Sequence, residues 1–236
     1  MKHNFSLSIC VPAFNEEAGL KSAVKDLFLT LSEQVLFLEV IIVNDGSTDS
    51  TGGLAQELAR EYGQNVKVIH HSVNLGLGVS YRDALAIAQG EYFTWFPGDH
   101  ENSADELIHC LPFLRVDTVV TSHHKTLDGR SWLRRSVSGL YTWLLNKYFH
   151  LNLKYYNGLT IFPTPVLRSL PLATNGFALC AESLIRAIKS GCKIVELSYP
   201  LKKRQGGSSN ALSFLSLARM LKDVSYNLIF PRHKLR

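Results

Sequence analysis

Four β-branched residues in a row, Val40-Ile41-Ile42-Val43, stop at Asn44-Asp45-Gly46 and give way to Ser47-Thr48-Asp49-Ser50-Thr51. A short unbroken apolar run of this kind has the length and composition of a strand covered on both faces. Asn-Asp-Gly ends it in a turn, and Ser47, Thr48 and Asp49 supply the hydroxyls and carboxylate that cap a helix start. A strand–turn–helix joint built this way belongs to an α/β protein. It leaves Asp45 just beyond the carboxyl end of a central strand, where open α/β sheets bind their ligands. A lone carboxylate there has no core partner to lose, so Asp45 is read as a binding residue, and Ser47 and Asp49 as helix caps.

The flanking segments repeat the unit. Leu7–Ala13 is the first expected strand, and Glu16–Leu31 carries Leu20, Val24, Leu27, Phe28 and Leu31 at helical spacing. Val66–Ile69 is a further strand, Gly76–Gln89 a helix with Ala84, Leu85 and Ala88 on one face, and Tyr92–Phe96 a fourth strand. Repeated strand–helix–strand units imply a mainly parallel sheet flanked by helices. The second half is less regular: strands at Asp117–Ser122, Gly158–Phe162 and Lys193–Tyr199, and a helix at Glu182–Lys189 ending at Gly191. A long helix, Ser131–Phe149, has Leu133, Val137, Leu140, Leu144 and Tyr148 on one stripe, widened by Trp132, Tyr141 and Trp143. Ala211–Phe230 closes the chain as an amphipathic helix.

Composition narrows the class. At 236 residues, with 46% hydrophobic and 19% charged, the chain can bury a sizeable core and is not disordered. No apolar run reaches the roughly 18 residues that cross a bilayer. Met1–Ser6 leads straight into a strand with no secretory signal, so a cytoplasmic protein is expected. Cys10, Cys110, Cys180 and Cys192 lack paired metal spacing and are expected as buried free thiols. The net charge of +5 is concentrated at Arg130, Arg134 and Arg135, at Lys202-Lys203-Arg204, and at Arg232, Lys234 and Arg236. A solvated surface is the ordinary meaning of such runs. The sharper one is attraction to nucleotide phosphates, a lipid phosphate or an anionic membrane face. No nucleic-acid-binding motif accompanies the charge, so nucleic acid is not an expected partner.

Four segments carry candidate chemistry. Pro12-Ala13-Phe14-Asn15-Glu16-Glu17 turns rigidly from the first strand into a helix. Asn74-Leu75-Gly76-Leu77-Gly78 has two glycines that let backbone approach a ligand, at a helix start that offers N–H groups to a phosphate. It is no dinucleotide fingerprint, since it follows the third strand and Tyr81 stands where the last glycine belongs. Trp95-Phe96-Pro97-Gly98-Asp99-His100-Glu101 ends the fourth strand with two carboxylates. Arg204-Gln205-Gly206-Gly207-Ser208-Ser209-Asn210 is a glycine-rich loop whose Arg can close over a diphosphate.

Together these segments resemble the family-two glycosyltransferases of the GT-A fold. The resemblance implies a single domain, with a nucleotide-sugar-binding half over residues 5–115 and an acceptor half over 116–236. It implies that Pro12, Ala13 and Phe14 line the base and ribose, that Glu16 holds the ribose, and that Asp45 accepts a hydrogen bond from the base. Gly76 and Arg82 fall in the family's Asn-x-Gly-x-Gly segment, with Asp83 replacing a usual glycine. Gly98 and Asp99 fall at the family's Asp-x-Asp, which binds Mg²⁺ or Mn²⁺ against the diphosphate; Pro97 replaces its first carboxylate. Asp99 and Glu101 are then the expected metal ligands, in a weakened site. Arg204 would neutralise the leaving group, with Asn210 where the family has Lys. Glu182, at the expected start of a helix, reads equally as a catalytic base and as a carboxylate stabilised by the helix dipole.

The implied activity is inverting transfer of one sugar from a nucleotide-diphosphate sugar, since the Gln-x-x-Arg-Trp signature of processive synthases is absent. A polyprenyl or dolichyl phosphate is the expected acceptor, already anionic and needing no strong base. A glycan hydroxyl is the alternative, and a non-catalytic nucleotide-sugar binder the rival that Pro97 supports. The amphipathic helices with basic flanks suit peripheral contact with a membrane face, or core packing.

Overall fold

The computed structural model describes residues 2–99, 102–124 and 132–199. Strands β1 (His3–Ala13), β2 (Val35–Asp45), β3 (Val66–His71) and β4 (Tyr92–Trp95) alternate with helices α1 (Leu20–Leu31), α2 (Thr51–Tyr62) and α3 (Leu77–Ile87). After α4 (Asp105–Cys110) follow β5 (Thr118–His124), α5 (Trp132–Phe149), β6 (Thr160–Pro163), α6 (Thr164–Ser169), α7 (Ala178–Lys189) and β7 (Lys193–Tyr199). One sheet runs in the order β3-β2-β1-β4-β6-β5-β7. β1 is parallel to β2 and β4, β2 to β3, and β5 to β7, while β6 is antiparallel to both β4 and β5. This is the α/β, mainly parallel architecture of the GT-A fold. Six strands therefore present their carboxyl ends at one edge of the sheet, joined there by the amino end of β6.

Val40, Ile41, Ile42 and Val43 are fully buried because helices cover both faces of the sheet. Val40 and Ile42 face α1, α2 and α4; Ile41 and Val43 face the side of α3, α5 and α7. α1 buries Leu20, Ala23, Val24, Leu27 and Leu31, the spacing of one helical stripe. The helix begins at Leu20 and not at Glu16 because Asn15 takes a left-handed backbone (φ 56°) and a turn intervenes. The six-residue helices α4 and α6 are too short to show a hydrophobic period and are absent from the sequence reading. In α5 the core stripe is Tyr141, Leu145 and Phe149, with Leu144 and Tyr148 partly covered; Leu140, expected on it, points outward. Cys10, Cys110 and Cys180 are buried free thiols, and Cys192 is free and half-buried. Burial pushes Cys110 and Cys180 each up to about 12.

Glu106 of α4 is a buried carboxylate that accepts a hydrogen bond from the Ser122 hydroxyl of β5. Burial raises its pKa, and the Ser122 bond opposes that shift. A carboxyl raised in the folded state favours folding below its unfolded value, and that contribution is lost as pH rises through the folded value. Glu106→Gln is therefore expected to raise Tm at pH 7, with the gain shrinking towards pH 4. Thermal unfolding of both chains across that range checks it; a Tm lower than the parent's at pH 7 would refute the burial argument.

Among the described residues no helix is long and apolar enough to cross a membrane. His100, Glu101, Arg130, Arg204 with the rest of its loop, the Ala211–Phe230 helix and the basic tail lie outside the described residues.

Candidate active site

The chain leaves β1 for β2 and β3 on one side, then returns to place β4 on the other. The strand order reverses between β1 and β4, and crevices form outside the carboxyl ends at such a switch point. Ala13 pairs with Asn44, so Asp45 lies beside the end of β1 on one flank. On the other flank the Phe96 N–H donates to the Cys10 carbonyl, 2.8 Å away, continuing β4 into the Pro97-Gly98-Asp99 turn. That turn sits against β1: a Cβ on Gly98 would lie 3.1 Å from the Pro12 carbonyl oxygen, and one on Gly19 would lie 2.8 Å from the Gly98 carbonyl oxygen. The fold thus brings Pro12, Ala13, Phe14, Asp45, Gly98 and Asp99 to one crevice. Phe14 and Asp99 are exposed there, and Glu16 is half-buried.

The loops after β1 and β2 are laced together. Asn15 N–H donates to Ser47 Oγ (3.0 Å), Glu16 N–H to Thr51 Oγ1 (2.8 Å) and Glu17 N–H to Asp49 Oδ2 (3.3 Å). In return Thr48 N–H donates to Asn15 Oδ1 (2.9 Å) and Ser50 N–H to Glu17 Oε2 (3.0 Å). This corrects the capping reading in part. Asp49 does accept from Thr51 N–H at the start of α2, at 3.0 Å, but Ser47 serves the β1 loop instead. The Thr51 hydroxyl, followed by nearby backbone N–H groups, holds the Asp49 carboxyl below its ordinary value.

Asp45 is not a lone carboxylate. It is only 4% exposed. Its Oδ1 lies 2.7 Å from His71 Nδ1 and accepts from Leu75 N–H at 2.8 Å, and its Oδ2 accepts from Gly76 N–H at 2.8 Å. His71 reaches on through Nε2 to Asp83 Oδ2 at 3.1 Å. That contact gives Asp83, which departs from the family's glycine, a physical role. A carboxylate has about four lone-pair sites, so one on Oδ2 remains for a ligand. His71 and Asp83 were missed from sequence; the signal available was the Asp standing where a glycine is usual.

The glycines of the 74–78 segment serve the protein's own backbone, which corrects the phosphate-cradle reading. Gly78 N–H donates to the Asn175 carbonyl at 2.7 Å, and a Cβ on Gly78 would collide with the Thr174 carbonyl oxygen. Gly76 spends its N–H on Asp45. Arg82 is also committed to that crossing loop, donating to the Thr174 carbonyl and to Asn175 Oδ1, each at 2.6 Å. Glu182 lies in the second turn of α7, not at its start, because the helix begins at Ala178. It is 5% exposed and accepts from the backbone N–H groups of Ala173 and Thr174 and from Arg186 Nε at 2.9 Å. Of its two sequence readings, the geometry corrects the catalytic base: the carboxylate is a buried anchor for the 173–175 loop. Gly158, just before β6, lies at the same sheet edge with its α-carbon packed against the Ser122 carbonyl.

A family model described as Glycosyl transferase family 2 matches residues 8–170, from β1 to α6. The chain belongs to that family. It is 35% identical over 115 residues, 48% of its length, to a beta-monoglucosyldiacylglycerol synthase of a Nostoc species. It is 27% identical over 128 residues, 52% of its length, to an uncharacterized glycosyltransferase of Rickettsia conorii. Those matches span 24% and 20% of the two relatives, about a quarter and a fifth of their lengths. Among solved structures it resembles glucosyl-3-phosphoglycerate synthase from Mycobacterium tuberculosis in complex with uridine-diphosphate. There the TM-score is 0.70 at 19% identity, covering 95% of this chain and 80% of that one.

Among the described residues no cluster of three or more His, Cys, Asp or Glu would hold a metal by itself. Mg²⁺ commonly takes one or two carboxylates and completes its shell with phosphates and water. Asp99 at the mouth of the crevice fits a cation of that kind, one held mostly by a diphosphate.

Proposed function

We propose that this chain transfers a single sugar from a nucleotide-diphosphate sugar, with inversion, to a polyprenyl or dolichyl phosphate. The observation that carries the reading is the crevice at the β1/β4 switch point, where Ala13–Phe14, Asp45 and Gly98–Asp99 converge. Pro12, Ala13 and Phe14 line the base, Glu16 reaches the ribose, and the open lone pair of Asp45 Oδ2 accepts from the base. Asp99, with Glu101, would hold Mg²⁺ or Mn²⁺, which when bound neutralises charge gathering on the departing diphosphate. The acceptor oxygen forms its bond to the anomeric carbon from the face opposite the diphosphate. The bond from that carbon to the donor's phosphate oxygen breaks, and the nucleoside diphosphate leaves. A lipid phosphate enters already ionised, so no base is needed, in keeping with Glu182 being locked to Arg186. Arg204, carried from the family pattern, would sit over the leaving group. The complexes solved for the Mycobacterium tuberculosis synthase, which include Mn²⁺, UDP and phosphoglyceric acid, support the donor and the cation more than the lipid acceptor.

Turnover of UDP- and GDP-sugars against polyprenyl phosphate, diacylglycerol and a glycan tests the reading. Product on polyprenyl phosphate is expected; product on another acceptor only would overturn that assignment. Asp99→Ala is expected to lower divalent-stimulated turnover by about 100-fold or more. Full activity in excess EDTA would remove the metal from the account.

A further inference from the structure

Among its described side chains, α5 is covered on one side only. Tyr141, Leu145 and Phe149 are packed into the core beside Val119, Leu153 and Tyr156. On the opposite face Leu140 is 55% exposed and Trp143 52% exposed, with Lys147 one turn further on. Lys147 Nζ lies 5.0 Å from the Trp143 ring centroid, so the cation and the indole form one unit. Leaving a tryptophan and a leucine side by side in water is unfavourable unless something covers them.

The charge carried by the helix itself says what covers it. From Trp132 to Phe149 α5 holds Arg134, Arg135 and Lys147, and not one Asp or Glu. An acid-free, basic stretch bearing outward Trp and Leu is the composition of a helix that lies in the plane of a bilayer interface. There the indole sits at headgroup level and the ammonium groups meet lipid phosphates.

We infer that the Leu140–Trp143–Lys147 face of α5 is a docking surface for a membrane leaflet rich in anionic phospholipid. The inference rests on the lipid-acceptor reading for its purpose, since it would hold the transferase at the surface where its acceptor resides. The apolar contact anchors the helix, and the basic residues bias it toward anionic lipid, an attraction that salt screens.

The test is co-sedimentation of the whole chain with vesicles of equal parts phosphatidylglycerol and phosphatidylcholine, without donor or acceptor. Binding is expected at low salt, weaker on pure phosphatidylcholine and weaker as salt rises. Trp143→Ser is expected to lower the partition about tenfold, the effect of withdrawing one large apolar side chain from the interface. Leu29→Ser, at a leucine on α1 that is more exposed still (74%), is expected to leave it unchanged. Circular dichroism and Tm near the parent's keep the Trp143 result interpretable, and Leu140→Ser serves in its place if Trp143→Ser misfolds. Equal binding by parent and both α5 variants would overturn the proposal. So would absence of vesicle binding, or a change of oligomeric state on Trp143→Ser with vesicle binding intact. Vesicle binding by a chain that glycosylates only a soluble acceptor would sustain the docking face while removing the lipid acceptor. Turnover on lipid phosphate without vesicle binding would do the reverse.

Discussion

Glu182→Ala is expected to destabilise the protein by about 3–5 kcal/mol, because it leaves the Arg186 guanidinium buried without its counter-charge. Arg186 is 4% exposed, and its Nη1 already lacks a hydrogen-bond partner among the described residues. The Ala173 and Thr174 N–H groups lose their acceptor as well. For a chain of this size such a loss lowers Tm by roughly 10 °C. The 173–175 loop would also loosen from Gly78 and Arg82, so donor binding should weaken with stability. The measurement is thermal unfolding of Glu182→Ala beside Glu182→Gln, together with turnover. A catalytic base would show the opposite pattern: unchanged Tm and a collapse of kcat in the Gln variant.

Asp45→Ala is expected to abolish detectable binding of UDP and GDP and to lower stability by roughly 3 kcal/mol. Both effects have one source. The carboxylate fastens the Leu75-Gly76 backbone and His71, and offers its last lone pair to the crevice. Alanine leaves two N–H groups and an imidazole without that acceptor, and lets the loop after β3 move away from β2. Calorimetric titration with each nucleotide, alongside thermal unfolding, measures the two losses separately. Parent-like affinity would remove Asp45 from the nucleotide site whatever happened to Tm, and a parent-like Tm would remove its structural role.

Much of the architecture is legible in local pattern. The Val40–Val43 run reports burial on both faces because an amphipathic strand would have alternated. The stripe Leu20, Val24, Leu27 and Leu31 reports α1 for the corresponding reason at helical period. The end of β1, the Asn44-Asp45-Gly46 turn and the Pro97-Gly98-Asp99 turn all mark carboxyl ends of parallel strands. Once the strand–helix order is read, they must meet at one edge, which is why the crevice could be named from residues far apart in the chain.

Local pattern could not say what each polar group does there, because the deciding partners are distant. Arg82 meets the Thr174 carbonyl 92 residues away, and Asp45 meets Gly76 across 31. A glycine that admits a phosphate and one that admits a crossing loop look alike in sequence. A carboxylate near a helix start reads as a base until a buried guanidinium is seen beside it. α5 makes the same point with apolar residues: it carries two hydrophobic stripes, and periodicity alone cannot choose which one faces the sheet. Sequence determined the strand order signals, the family and the place of the crevice, since these follow from burial and chain reversal over short spans. Tertiary structure decided which donors and acceptors are already spent on the protein itself and which helix face stays open, since a hydrogen bond or a packed face exists only once both partners are in place.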